Sequence, residues 1–148
     1  MVSGLIGPIR KLLRKLYMIT DKLKKITFLS LLLIYAHGVE EILTGFWKVD
    51  FILSGSYNQF SSIAQAAYYS SHITFWLLLI PLFLLMLGGK WVLRVMALFG
   101  LIFFIEIHHI IGPFSITQGY YPGFVTAIFY PIIGFFYWKE LIHNFQKR

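Results

Sequence analysis

Two histidines and three glutamates stand in stretches of this chain that are otherwise almost wholly apolar. His37, Glu40 and Glu41 fall in the run Tyr-Ala-His-Gly-Val-Glu-Glu, and Glu106 and His109 fall in Ile-Glu-Ile-His-His-Ile. An ionisable group at the centre of a lipid-embedded helix costs about 2.5–3.5 kcal/mol on insertion scales, so each one marks a functional site by default. At about 100° per residue, His37, Glu40 and Glu41 occupy an arc of about 100° on one helix, and Thr44 extends their stripe. Glu106 and His109, three residues apart, share a face from which His108 points away. His72 shares a stripe with Gln65, Tyr68, Tyr69 and Trp76, and Thr126, Tyr130 and Tyr137 lie on one face of a later run.

These residue types point to three chemistries. The chain has no cysteine, which excludes disulfides, thiolate ligands and Cys nucleophiles and leaves nitrogen and oxygen as metal donors. In the first reading His37, Glu41, Glu106 and His109 ligate one divalent metal, for which two imidazoles and two carboxylates suit zinc, iron or manganese. Glu40 or His72 then supports the ligands from behind or acts as an acid–base group, and the substrate is a lipid or other apolar molecule. A di-iron bundle normally draws on four carboxylates, and only three lie inside here, so a single ion is expected. The second reading removes the metal and uses the same groups as general acid and base, in the manner of a membrane isomerase. The third is a binding or transport protein for haem, an ion or a proton. His72 or His108 taken singly reads as interhelical hydrogen-bonding glue. The four-residue set does not, because charged groups at one depth must neutralise one another or hold a cation.

The elements that position these residues follow from composition. Of 148 residues 58% are hydrophobic and 13% charged, too few charges to coat a soluble domain of this size. Uncharged stretches such as Ile73–Leu87 and Val95–Ile105 need lipid as solvent. Four membrane-crossing helices are expected at about residues 26–47, 71–87, 91–113 and 122–138. Pro122 stands at the first turn of the last helix, where proline is favoured. The formal net charge is +7, but seven basic residues crowd between Arg10 and Lys25. Apolar positions Leu5, Ile9, Leu12, Leu13, Leu16 and Leu23 alternate with that charge at helical spacing. Residues 1–25 therefore read as a basic amphipathic helix lying in the membrane interface against anionic headgroups, and not as a nucleic-acid surface. Lys90 and Arg94 at the second turn, and Lys139, Lys147 and Arg148 at the end, place both termini in the cytoplasm. That topology brings His37, Glu40, Glu41, His72, Glu106, His109 and Thr126 to the outer half of one bundle. Self-association of the chain is left open.

The run His37-Gly38-Val39-Glu40-Glu41 resembles the signature of the HXXEE family of small multi-span membrane proteins, which takes its name from this motif. A second match is Tyr120-Tyr121-Pro122-Gly123-Phe124-Val125-Thr126, which is similar to the family's later Tyr-x-Pro-Gly segment followed by Thr. His109 fits the histidine that precedes that segment. The resemblance covers about residues 28 to 135 and leaves the basic start outside it. It implies functional positions at His37, Glu40, Glu41, His109, Tyr120, Pro122, Gly123 and Thr126, and it implies no particular reaction. Tyr130, on the face of Thr126, joins Tyr120, Pro122, Gly123 and Thr126 as a substrate-contacting or supporting residue. The expected architecture is an all-α membrane protein, a four-helix transmembrane bundle over residues 26–148 preceded by the interfacial helix.

Overall fold

A computed structural model describes residues 19–49, 64–89, 91–115, 117 and 119–147; the expected interfacial helix lies largely outside them. The described residues form helices only. These are α1 (Asp21–Thr44), a 3-10 turn (Phe46–Lys48), α2 (Ala64–Met86), α3 (Val92–Gly100), α4 (Ile102–Ile105), α5 (His108–Ser115), α6 (Phe124–Ala127) and α7 (Phe129–Gln146). By length and composition they make four long helices apolar enough to cross a membrane, with α3 to α5 continuing one another as the third and α6 to α7 as the fourth. Each passes one expected bound and stops a little short of the other. The first starts at Asp21 rather than Ile26, because the Thr20 hydroxyl caps it by accepting the Leu23 N–H at 3.3 Å. Charge therefore misleads as a boundary signal, since Lys22, Lys24 and Lys25 sit on the first turns of the helix itself.

The first helix is built inside out relative to a soluble helix. Its buried positions are Leu23, Thr27, Ser30, Leu31, Leu33, Ile34, His37, Gly38 and Glu41, mostly at the three- and four-residue spacing of one helix face. Its outward residues include Phe28, Leu29, Leu32, Val39 and Leu43. The buried hydroxyls are satisfied within the helix, Thr27 donating to the Leu23 carbonyl at 2.8 Å and Ser30 to that of Ile26 at 2.7 Å. An apolar exterior around a partly polar interior suits a lipid solvent and would be unstable in water.

Around the bundle the first helix packs on the fourth, the fourth on the third, the third on the second, and the second on the first. The first and third helices thus face each other diagonally. Both described chain ends meet at one end of the bundle. Thr20 N–H donates to Asn144 Oδ1 at 2.9 Å, the Asn144 amide donates to Thr20 Oγ1, and Lys22 pairs with Glu140. His37, Glu41 and His72 lie toward the other end, at the close of α1 and in the first half of α2.

The third helix is broken where it matters most. Between α4 and α5 the backbone hydrogen bonds tighten to three-residue closures, His109 N–H to the Glu106 carbonyl at 3.2 Å and Ile110 N–H to that of Ile107 at 2.9 Å. Side chains three apart eclipse one another in such a turn. Glu106 and His109 therefore project along one line toward the first helix.

Candidate metal centre

Glu106 and His109 meet His37 and Glu41 across the diagonal of the bundle. His37 Nε2 lies 3.0 Å from Glu106 Oε2 and 3.5 Å from Glu41 Oε1, and His109 Nε2 lies 2.9 Å from Glu41 Oε1 and 3.3 Å from Glu106 Oε2. One ligand atom from each of the four residues falls within 4.8 Å of all the others. Ligand bonds of about 2.0–2.1 Å around a tetrahedral ion place neighbouring donors about 3.3–3.4 Å apart. The four imidazole–carboxylate separations, 2.9 to 3.5 Å, bracket that edge length. His37, Glu41 and His109 are buried, and Glu106 is nearly so.

The outer ring nitrogens fix which atoms face inward. His109 Nδ1 lies 2.6 Å from the carbonyl of Pro122. A carbonyl can only accept, so Nδ1 carries the proton. His37 Nδ1 lies 2.7 Å from Thr126 Oγ1, whose own proton goes to the Glu40 carboxylate. The hydroxyl therefore accepts from His37 Nδ1–H. In neutral imidazoles both Nε2 atoms then present lone pairs, and they present them to two carboxylate oxygens. Four acceptors converge with no donor among them, and a central cation resolves the conflict: a divalent ion, or a proton on each ring.

The remaining two long helices support these ligands. The second helix holds Glu41 from its other oxygen, Oε2, to which Tyr68 donates at 2.9 Å and from which His72 Nε2 is also 2.9 Å. Tyr68 was not among the expected site residues, although its position one turn before His72 was the signal. The segment leading into the fourth helix supplies the Pro122 carbonyl, the Thr126 hydroxyl and Gly123. Gly123 has φ +84°, and a Cβ there would sit 2.7 Å from both His109 Nδ1 and His37 Cε1, so only glycine lets this turn close over the two rings. The motif glycine Gly38 has a different reason: a Cβ would lie 2.8 Å from the Trp76 ring of the second helix.

Glu40 stands outside the four-residue cluster, in the supporting place that was one of its two expected roles. Its carboxylate accepts from Tyr120 Oη at 2.6 Å, Val125 N–H at 3.0 Å, Thr126 N–H at 2.8 Å and the Thr126 hydroxyl. It caps the fourth helix, whose first N–H groups have no partner within the helix. One position before Glu41, it turns by 100° onto the neighbouring helix. Partial burial, and then the Glu40 carboxylate itself, raise the Tyr120 phenol above its usual pKa, which keeps it a donor.

Tyr130 is fully buried, with its ring edge-on to His37 at a centroid distance of 5.2 Å and its hydroxyl without a hydrogen-bond partner among the described residues. Tyr121, also buried, packs against His109 and Phe46. A cavity of about 270 Å³ reaches Glu41, Glu106 and His109 from the side of the second helix, lined also by Phe46, Ser71, His72, Phe75, Ile105 and His108. His108, expected to point away from Glu106 and His109, instead packs its ring on that of His109 at a centroid distance of 3.9 Å and borders the same cavity, and its Nδ1 bonds the Ile105 carbonyl.

The family model for proteins of unknown function with an HXXEE motif matches residues 28–137. The chain belongs to this HXXEE family. In an HXXEE protein of this geometry the motif has a physical meaning: the histidine and second glutamate face the diagonal partner, and the first glutamate holds the helix that backs the histidine. No curated protein and no solved structure matches the chain.

Proposed function

We propose that this HXXEE protein is a membrane enzyme that uses one divalent metal ion, held by His37, Glu41, Glu106 and His109, to act on a lipid or similarly apolar substrate. The observation that carries the reading is the convergence of two imidazole Nε2 atoms and two carboxylate oxygens, 2.9 to 3.5 Å apart across the pairs, beside a cavity. The ion's charge balances the two carboxylates, and zinc, iron and manganese all accept this donor set.

A bound divalent ion supplies Lewis acidity at the cavity face. The chain's own residues do the rest. Pro122 and Thr126 hold the imidazoles in the ligating tautomer, as outer-shell partners of metal-bound histidines do. Tyr68 and His72 orient Glu41. With Nε2–H donated to Glu41, the buried His72 Nδ1 is left as an acceptor with no hydrogen-bond partner among the described residues. His72 lines the cavity and is the acid–base group we assign. Glu40 becomes a positioning residue. The basic residues near the described chain ends assign that end to the cytoplasm, which sets the centre in the outer half.

A second reading, metal-free acid–base catalysis, draws on His72 and on protonated His37 and His109 rings paired with Glu41 and Glu106. Haem ligation is disfavoured by the 4.5 Å between the His37 and His109 ring centroids, which leaves no slot for a macrocycle between them.

The test is lipid turnover by the full chain in nanodiscs made from a total membrane-lipid extract, followed by mass spectrometry. Loss of one lipid class that stops on chelation and resumes with added metal supports the enzyme. Turnover insensitive to chelation selects the metal-free reading. No turnover of any lipid class contradicts both.

A further inference from the structure

We propose that the substrate is a single-chain amphiphile that enters sideways from the membrane between the second and third helices, its chain in a groove there and its polar end at Glu106. The inference rests on the enzyme reading above and names the substrate class of that site.

A groove of about 590 Å³ runs between α2 and α3–α4, walled by apolar side chains that include Leu79, Leu82, Val95, Leu98 and Ile102. Its one ionisable lining residue is Glu106, at the end nearest the metal centre. Phe75, Ile105 and Glu106 line both this groove and the polar cavity of Glu41, His72 and His109. The two spaces are therefore neighbours through three shared side chains, with an apolar trough at one end and a cluster of nitrogen and oxygen donors at the other. That division matches a molecule that is hydrocarbon along its length and polar at its tip.

Direction and number also follow. From Glu106 down to Val95 the third helix descends about 16 Å at about 1.5 Å per residue, a length that accepts much of an extended fatty acyl chain. The acyl chain then points from Glu106 toward the end of the bundle where the described chain ends meet. A second apolar groove, of about 460 Å³, lies on the other side of the third helix between Phe103, Tyr130 and Trp138. It shares no lining residue with the polar cavity. Among the described residues one trough thus feeds the site, which suits one chain and not two.

The experiment uses the full chain in nanodiscs and a long-chain fatty hydroxamate carrying a mid-chain diazirine. Illumination is followed by mass-spectrometric mapping of the label, and metal content is measured on the same samples. Ile102→Trp fills the groove, Val95→Phe is a milder second block, and Leu77→Trp adds the same bulk on an exposed face outside the groove. The expected result is labelling of groove-wall residues that drops several-fold in Ile102→Trp and Val95→Phe, persists in Leu77→Trp, and leaves metal content unchanged. Labelling spread over outward residues such as Leu77 and Phe114, or undiminished by both blocking variants, overturns the groove. Metal present with label outside the groove removes this inference alone. Groove labelling in a protein that binds no metal keeps the amphiphile site and removes the metal-centred reading.

Discussion

His37 Nδ1 and Thr126 Oγ1 lie 2.7 Å apart, and the same hydroxyl bonds the Glu40 carboxylate. The first and fourth helices are therefore joined by a chain of two hydrogen bonds that ends on the His37 imidazole. Thr126→Val keeps the shape and removes the relay. Loss of such an outer partner typically weakens metal binding about 10–100-fold, and that is the expected change in metal Kd by competition with a chelator. Thr126→Ser should restore affinity close to wild type.

Gly123 makes the sharpest steric prediction. With φ +84°, alanine there costs roughly 1–2 kcal/mol in backbone energy alone, and its Cβ would push on both histidine rings. Gly123→Ala should lower the thermal unfolding temperature and the metal content together. Unfolding that stays at the wild-type temperature with metal fully retained would show that the turn does not close over the rings.

Glu40 and Glu41 are neighbours in the motif with separate duties. Glu40→Ala should cost about 1 kcal/mol, the usual size for a lost helix cap, and Glu40→Gln less, because an amide oxygen still accepts the Val125 and Thr126 N–H groups. Both should keep much of the metal. Glu41→Ala should lose it. The comparison is read by unfolding in parallel with elemental analysis, and equal metal loss in Glu40→Gln and Glu41→Ala would refute the division.

Acid should strip the ion. Metal binding requires unprotonated Nε2 atoms and carboxylates, so the metal-free chain takes up protons that the loaded chain excludes, and affinity falls as pH falls. Dialysis into acid should release metal, and return to the starting pH with fresh ion should restore it. Stability contributed by the metal is lost in the same direction.

Much of this was legible in the chain itself. Four helices followed from apolar stretches long enough to cross a membrane, and His37, Glu41, Glu106 and His109 followed from charge in those stretches. Periodicity put Glu40 on one arc with His37 and Glu41 and left its role open, because 100° between neighbours is small on a helical wheel but decides which adjacent helix a carboxylate reaches. The local 3-10 turn that aligns Glu106 with His109 has no proline or glycine to announce it; it is visible only in the backbone bonding. Tyr68 was missed as a Glu41 partner for a related reason, since a tyrosine in an aromatic-rich helix reads as packing until its hydroxyl is seen to reach Glu41. The basic residues Lys22 to Lys25 suggested a separate interfacial element, whereas the Thr20 cap starts the first helix before them.

Elemental analysis of the purified full-length chain, beside His109→Ala and Glu106→Ala, tests the central claim most directly. The account predicts about one divalent ion per wild-type chain, as a mononuclear site of four protein ligands requires, and a fall to background in both variants. A folded wild type that carries no stoichiometric metal after growth and reloading with zinc, iron and manganese, or variants that hold as much as the wild type, would contradict it.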